Sequence, residues 1–130
     1  MEIEQICTKL ITKIRQAAGD PEGPYGCLMW TRARQPAHAD VQYGRMRNPF
    51  PGPPGYSSAH RLLYMAHHRR PQLEKSNENG AVMDVSHICH KSLCVNIDHL
   101  VFETHEINLE RRHCVQQGLC TRSHKPYCLL

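Results

Sequence analysis

The 130-residue sequence has no apolar stretch long enough to span a membrane, and it does not open with a cationic start followed by an apolar run. A membrane-crossing helix needs about 20 apolar residues in succession, and a secretory signal peptide needs the second pattern. We therefore expect neither a membrane protein nor a secreted one. The chain is also too short for more than one domain with a modest core.

Strong charge is lacking as well. The formal net charge is only +4, and zinc-bound thiolates would lower it further. Any affinity for nucleic acid must therefore come from where Lys and Arg lie and not from the mean charge.

The sequence is instead rich in cysteine and histidine, at spacings typical of metal ligands. Two groups follow one another in the second half of the chain, and the second is a complete Cys3His set. The first group lacks one ligand, which Cys27 can supply. We therefore predict two structural zinc ions. Zinc 1 would be held by Cys27, Cys89, Cys94 and His99, and zinc 2 by Cys114, Cys120, His124 and Cys128.

A disulfide framework is the competing explanation of seven cysteines. Interleaved histidines and the missing signal peptide favour zinc, and a reduced intracellular compartment follows. Each structural zinc contributes on the order of 10 kcal/mol to folding in small metallo-domains, which would supplement a small core. Only Cys7 is left over, and it lies on the apolar face of a predicted helix, where we expect a buried hydrophobic residue.

Hydrophobic periodicity predicts an α+β fold with an N-terminal helix and short antiparallel strands. The proline-rich segment 48–55 predicts a stiff loop, and Ser57 or Ser58 is expected to cap the helix that follows. Thr104 is expected to cap the last helix, which would end at Gly118. The predicted helices cover about 2–18, 59–68 and 105–117, and the predicted strands cover 25–34, 41–47, 81–86 and 100–103.

The strands at 25–34 and 41–47 are predicted to form a ribbon facing DNA. Alternation would place Trp30, Arg32 and Arg34 on one side of the first strand, and would place Tyr43, Arg45 and Arg47 together on the second. Such a row of arginines fits the major groove of DNA, where Arg binds guanine and phosphates. A solvated surface face is the equally weighted alternative.

The order strand, metal-held loop, strand, helix across 81–128 resembles one known family. The matching residues are Ser86, His87, Ile88, Cys89, His90, Cys94, Asn96, His99, Leu100, Glu103, Asn108, Cys114, Cys120, His124 and Cys128. This pattern resembles the His-Cys box homing endonucleases of the ββα-metal (His-Me finger) nuclease superfamily. The resemblance covers about a third of the chain and is most specific from His87 to Cys114.

The resemblance implies roles for individual residues. His87 would be the general base, Asn108 would bind a catalytic magnesium or manganese ion, and an upstream arginine would clamp the scissile phosphate. Arg45 is the first candidate for the clamp, followed by Arg47 and Arg61. Phosphodiester hydrolysis does require a base near neutral pKa and a hard divalent ion at the leaving oxygen, and it would give 5′-phosphate and 3′-hydroxyl ends. The expected DNA-binding residues are Arg32, Arg34, Arg45, Arg47 and Arg61.

Three functions are therefore open: a metal-dependent DNA endonuclease, an inactive DNA-binding module on the same scaffold, and a zinc-stabilised module that binds proteins only. The expected partner of the first two is double-stranded DNA, which implies a nuclear location. A palindromic target would call for a homodimer, and the domain could belong to a longer protein. His105 and His113 are expected to be surface residues, while His38 and His60 receive no role.

Overall fold

The computed structural model describes residues 2–130 and has an α+β fold. Its elements in chain order are α1 (Ile3–Gln16), β1 (Arg34–His38), β2 (Val41–Arg47), β3 (Tyr56–Ser58), α2 (Ala59–His67), β4 (Met83–His87), a 3-10 turn (Ile97–His99), β5 (Leu100–Thr104) and α3 (His105–Gln117). Within the described residues, no helix has the length and apolar character needed to cross a membrane.

Helix α1 forms the floor of the core, as its apolar periodicity predicts. Its buried residues are Ile6, Cys7, Leu10 and Ile14, and they pack against the apolar side of α2. A capping box between Glu2 and Gln5 satisfies the first backbone amides of the helix. The expectation for Cys7 is confirmed, because its side chain is fully buried in this core.

Strands β1, β2 and β3 form an antiparallel sheet in that order. The predicted strand at 41–47 is confirmed, but the predicted strand at 25–34 is wrong, because β1 starts only at Arg34. The backbone of the segment before β1 forms hydrogen bonds with other parts of the chain. Trp30 N donates to Leu93 O, and Thr31 N donates to Ala17 O. This segment therefore ties α1 to the loop of the first Cys/His cluster instead of pairing with β2.

The predicted double row of arginines does not form. In β2, Arg45 and Arg47 are exposed while Gly44 and Met46 are buried, as alternation requires. Arg34, however, pairs with Gly44 in the register of the sheet. Directly paired residues share a face, so Arg34 lies on the face opposite to Arg45 and Arg47. Trp30 is buried and does not share an exposed side with Arg32.

Strand β3 and helix α2 follow the proline-rich loop. The sequence missed β3, whose three residues pair with the end of β2 from Arg45 to Arg47. Of the two serines expected to cap α2, Ser58 is the N-cap residue. Its side chain makes no capping hydrogen bond. Its position is instead fixed by the pairing of β3 with β2.

The predicted strand, loop, strand, helix order of the C-terminal half is confirmed. Strands β4 and β5 pair antiparallel from Met83 with Thr104 to His87 with Leu100. Thr104 Oγ1 accepts a hydrogen bond from Ile107 N and caps α3, and Gly118 ends the helix in the left-handed conformation at φ +73°. Helix α3 thus folds back onto the two-stranded sheet.

Candidate metal centres and active-site cavity

The first Cys/His cluster joins distant parts of the chain. Cys27, Cys89, Cys94 and His99 are all buried, and their ligand atoms lie within 4.8 Å of one another. Cys94 Sγ is 3.4 Å and Cys27 Sγ is 3.7 Å from His99 Nδ1. A tetrahedral zinc with ordinary Zn–S and Zn–N bonds would separate such atoms by about 3.5 Å. The four residues therefore fit one zinc ion.

The second cluster lies at the end of α3 and in the segment after it. Its residues are Cys114, Cys120, His124 and Cys128. The three sulfur atoms lie 3.6, 3.8 and 3.8 Å from His124 Nε2, which is again the spacing of a tetrahedral site. His124 Nδ1 donates to the Pro126 carbonyl at 3.0 Å, which orients the ring and leaves Nε2 free for a metal.

Backbone amides in both clusters can stabilise negatively charged sulfur. Backbone amides donate to Cys94 Sγ from Asn96, to Cys114 Sγ from Thr121, and to Cys120 Sγ from Cys128. A hydrogen bond to a thiolate favours its charged form, which is the form that binds zinc. All seven cysteines are free of disulfide bonds among the described residues. Two Cys3His sites that fit two structural zinc ions are thus present.

A buried ion pair supports the second cluster from below. Arg111 Nε and one terminal nitrogen donate to the two carboxylate oxygens of Glu103 at 2.6 and 2.9 Å. The other terminal nitrogen of Arg111 lies 3.6 Å from Cys128 Sγ. The side chains of Arg111 and Glu103 are 1% and 5% exposed, so the pair links α3, β5 and the metal site inside the protein.

His87 ends β4 and is connected to the first cluster through Cys94. Its Nε2 donates to the Cys94 carbonyl oxygen at 3.0 Å. Because a carbonyl can only accept, this bond places the proton on Nε2 and leaves a lone pair on Nδ1. Burial lowers the pKa of His87 to about 4, although the bond to Cys94 opposes this shift. The ring is therefore neutral at neutral pH.

Three rings stack where the strands meet α2. The centroid of His60 lies 4.3 Å from that of His87 and 4.6 Å from that of Tyr43. His60 is 4% exposed, and its Nδ1 is buried without a hydrogen-bond partner. Burial, helped by the nearby His87, holds the pKa of His60 well below its ordinary value. Burial also raises the pKa of the Tyr43 phenol.

A cavity of about 280 Å³ opens beside this stack. Its polar lining comes mainly from α2, β4 and α3 and includes Tyr43, His60, Arg61, Asp84, His105 and Asn108. Burial lowers the pKa of the Arg61 guanidinium, while the charge of Asp84 opposes that shift. The cavity therefore places a cation, a carboxylate and an amide next to one another, as a phosphate and a divalent ion would require.

Asp84 organises one wall of this cavity. Its Oδ2 accepts a hydrogen bond from His105 Nδ1 at 2.6 Å and another from Asn108 Nδ2 at 3.0 Å. Amide and carboxylate oxygens are ligands that magnesium accepts in proteins. Asn108 and Asp84 thus fit a hard divalent ion, and neither belongs to the two Cys3His clusters.

The structure brings together some of the predicted site residues and separates others. Asn108 and Arg61 line the cavity, whereas Arg45 is not among its lining residues. The Arg45 guanidinium lies 3.8 Å from the ring centre of Tyr56 on the exposed face of β2. His87 does not line the cavity either, but contacts it through the rings of His60 and Tyr43.

Sequence reasoning missed Asp84, His60 and the contact of His105. The expectation that His105 lies at the surface agrees with its partly exposed side chain, but it did not include the pairing of that side chain with Asp84. One signal was available: positions 105 and 108 are three apart on a predicted helix and therefore share a face. Nothing in the sequence pattern marked Asp84 or His60, whose contacts cross between separate elements.

Comparison with known protein families agrees with this geometry. A model described as the zinc-binding loop region of homing endonuclease matches residues 27–129, from the first ligand of zinc 1 past the last ligand of zinc 2. No curated protein and no solved structure matches the chain. The family match covers well over half of the chain and contains both Cys3His clusters. The chain therefore belongs to the zinc-binding loop family of homing endonucleases.

Proposed function

We propose that this protein is a metal-dependent DNA endonuclease that hydrolyses phosphodiester bonds with His87 as general base. The observation that carries the proposal is the bond from His87 Nε2 to the Cys94 carbonyl. It makes a ligand of zinc 1 hold the imidazole in the tautomer that accepts a proton at Nδ1. A neutral, oriented imidazole is the form that removes a proton from an attacking water.

The cavity supplies the other groups that the reaction needs. Asn108 would hold a single magnesium or manganese ion with DNA oxygens and water, and that ion would neutralise the charge that develops on the 3′ oxygen. The water would attack in line with that oxygen, and the expected products carry a 5′-phosphate and a 3′-hydroxyl. Two zinc ions held by these clusters would stay outside the reaction, because the four residues of each cluster would fill all four positions of a tetrahedral ion.

We propose Arg61 as the arginine that clamps the scissile phosphate. It lines the same cavity as Asn108 and is half-buried, so its charge acts in a partly water-excluded site. Arg45 and Arg47 lie on the exposed face of β2, where we propose that they bind phosphates further along the duplex, whereas Arg34 lies on the opposite face of the sheet. This revises the sequence-based preference for Arg45.

The test is incubation of supercoiled plasmid with the zinc-loaded protein, with and without magnesium, beside His87→Ala. We expect the wild type to nick and linearise the plasmid only with the divalent ion. We expect His87→Ala to lose about 100-fold or more in rate, the usual contribution of a general base, while gel-shift affinity is kept. His113→Ala is the matched control, because His113 is an exposed histidine outside the cavity. Unchanged cleavage by His87→Ala would reject the assigned base.

Two further measurements complete this experiment. Direct religation of the cut ends by DNA ligase reports a 5′-phosphate and a 3′-hydroxyl. Arg61→Ala and Arg45→Ala, compared at equal DNA occupancy, test the clamp: we expect the cleavage rate to fall much further in the first variant. Equal loss in both variants would contradict the assignment of Arg61.

A second candidate function is DNA binding without cleavage. It is favoured by the position of His87, whose ring is covered by His60 and Tyr43 and does not line the cavity. This function predicts salt-sensitive DNA binding and no nicking by the wild type in magnesium or manganese. With either function, we propose double-stranded DNA as the partner, a nuclear location, and a symmetric dimer on a palindromic target.

A further inference from the structure

We propose that His105 is a second protein ligand of the divalent ion at Asn108, and that the site therefore prefers manganese to magnesium. The role of that ion in cleavage rests on the proposed nuclease function, whereas its binding by these residues can be measured without any reaction. The proposal follows from the hydrogen bonds of one carboxylate on the cavity wall.

Asp84 fixes which atoms of its two partners remain free. Its Oδ2 lies 2.6 Å from His105 Nδ1 and 3.0 Å from Asn108 Nδ2. A carboxylate oxygen accepts, so both nitrogen atoms carry the hydrogen they donate. In the tautomer with a single proton at Nδ1, the lone pair of the His105 ring is on Nε2, and the amide of Asn108 has its oxygen left as an acceptor. Each residue thus keeps one free ligand atom suited to a cation.

The two free acceptors belong to the same surface. Residues 105 and 108 are three apart in the first turns of α3 and share one face of that helix. Both line the cavity, and the His105 side chain is 46% exposed, so its ring can reach a solvated ion. An imidazole that donates its other N–H to a carboxylate is the usual arrangement of a metal-bound histidine.

The ligand set decides which ion is preferred. Magnesium favours oxygen ligands and keeps several waters, whereas imidazole nitrogen favours transition ions. A site with one imidazole nitrogen and one amide oxygen should therefore bind manganese more tightly than magnesium. Arg61 and Arg112 also line the cavity, and their charges oppose cation binding in the absence of DNA. We expect the affinity without DNA to be modest for both ions.

Manganese is a suitable probe because it stands lowest among the first-row divalent ions in affinity for such ligands and will not displace zinc from thiolates. The zinc-loaded full chain is titrated with manganese without DNA, and free manganese is followed by electron paramagnetic resonance. Magnesium is then added as competitor. The variants are His105→Ala, Asn108→Ala and the control His113→Ala, which removes an exposed histidine of α3 that contacts Gln117. Zinc content and circular dichroism verify the fold of each variant.

We expect His105→Ala to weaken manganese binding by about tenfold or more and to change magnesium affinity far less. Asn108→Ala should weaken both ions, and His113→Ala neither. If His105→Ala loses zinc or helix content, His105→Asn replaces it, because it keeps a donor for Asp84 and exchanges the ring nitrogen for an oxygen. That variant should lose the preference for manganese. Manganese affinity that is independent of residue 105 overturns the proposal.

The plasmid assay separates this proposal from the proposed function. If manganese binding depends on His105 but no plasmid is nicked in either ion, the nuclease function fails and the metal site stands. If the plasmid is nicked but manganese affinity does not depend on His105, the second ligand is rejected and the nuclease stands.

Discussion

A single buried arginine links several parts of the C-terminal half of the chain. Arg111 is 1% exposed and binds Glu103 through two hydrogen bonds while its third nitrogen touches a zinc 2 ligand. Burial alone would lower the pKa of Arg111, but the bonds to Glu103 outweigh it and raise that pKa. Removal of either Arg111 or Glu103 would therefore leave the charge of the other buried without a partner.

Arg111→Met should destabilise the protein by about 3–5 kcal/mol, because it leaves the Glu103 carboxylate buried without a partner. The double variant Arg111→Met/Glu103→Leu removes both charges and should recover much of that loss. Urea unfolding of the zinc-loaded proteins measures both values. A double variant that is less stable than the single one would show that the pair itself, and not the unpaired charge, dominates.

His60 gives the stability a defined dependence on pH. Its pKa is lowered by burial in the folded state, so below the unfolded pKa of about 6.5 the unfolded chain binds a proton that the folded chain does not. Stability is therefore lost as the pH falls below about 6.5, and His60 contributes to that loss.

His60→Gln should lose less stability than the wild type between pH 7 and pH 5.5, because the variant has no imidazole at residue 60 that the unfolded chain could protonate. Unfolding free energies at the two pH values, with zinc content verified at both, give the comparison. Equal losses in the two proteins would mean that the ring is charged in the folded state.

At the scale of residues, the spacing of cysteine and histidine predicted the two Cys3His clusters that the structure contains. Cys27 was the hardest of these residues to assign, because it lies far upstream of the others. It could be assigned only because the first group lacked a fourth ligand. The contacts of Asp84 with His105 and Asn108 could not be predicted, since they depend on how α3 turns over β4. Contacts between elements leave no periodic signal in the sequence.

Among the elements, β2 depends on one glycine. A Cβ at Gly44 would lie 2.7 Å from Cδ1 of Trp30, whose side chain is 3% exposed and enclosed by the core. Gly44→Ala should therefore destabilise the protein by about 1–3 kcal/mol through overpacking. Gly19→Ala is the control, because the nearest atom to its Cβ would be 3.9 Å away. Thermal unfolding of both variants measures the difference, and equal midpoints would contradict the close packing.

Most elements with a strong period were predictable, but the alternation of segment 25–34 gave a wrong prediction. Helices α1, α2 and α3 and strand β2 lie close to their predicted ranges. The segment 25–34 has the alternation of a strand, yet before Arg34, where β1 begins, its backbone forms isolated bridges with Ala18, Glu22 and Cys94. Its course is set by the need to bring Cys27 to the first cluster, a constraint that local pattern does not contain.

In the molecule as a whole, the main hydrophobic core and the first Cys3His cluster are separate clusters of buried residues. The main core joins α1 and α2, and the first Cys3His cluster forms a separate small core with Met29 and Leu129. The two Cys3His clusters were predictable from the number and spacing of the cysteines and histidines. The separation of the two cores was not, because it depends on packing between α1, α2 and the β sheets.

Elemental analysis should give two zinc ions per chain, and Cys94→Ser should give one. Removal of zinc with a chelator should unfold residues 81–128, because zinc binding contributes on the order of 10 kcal/mol per site to folding. Amide NMR spectra before and after chelation locate the loss. Cys7→Ser is the control and should keep both ions, since Cys7 belongs to the helical core. Well-dispersed signals from 81–128 after complete zinc removal would contradict this role of the metal.

Cys94 places its sulfur in the first Cys3His cluster, and its carbonyl accepts the hydrogen bond from the imidazole of His87. On the proposed mechanism, a newly made chain would be harmless to the genome until zinc binds that cluster, even with the other site filled. The supply of zinc in the cell would then determine when cleavage begins. A shortage would leave inactive protein that could become active once zinc returns, without new translation.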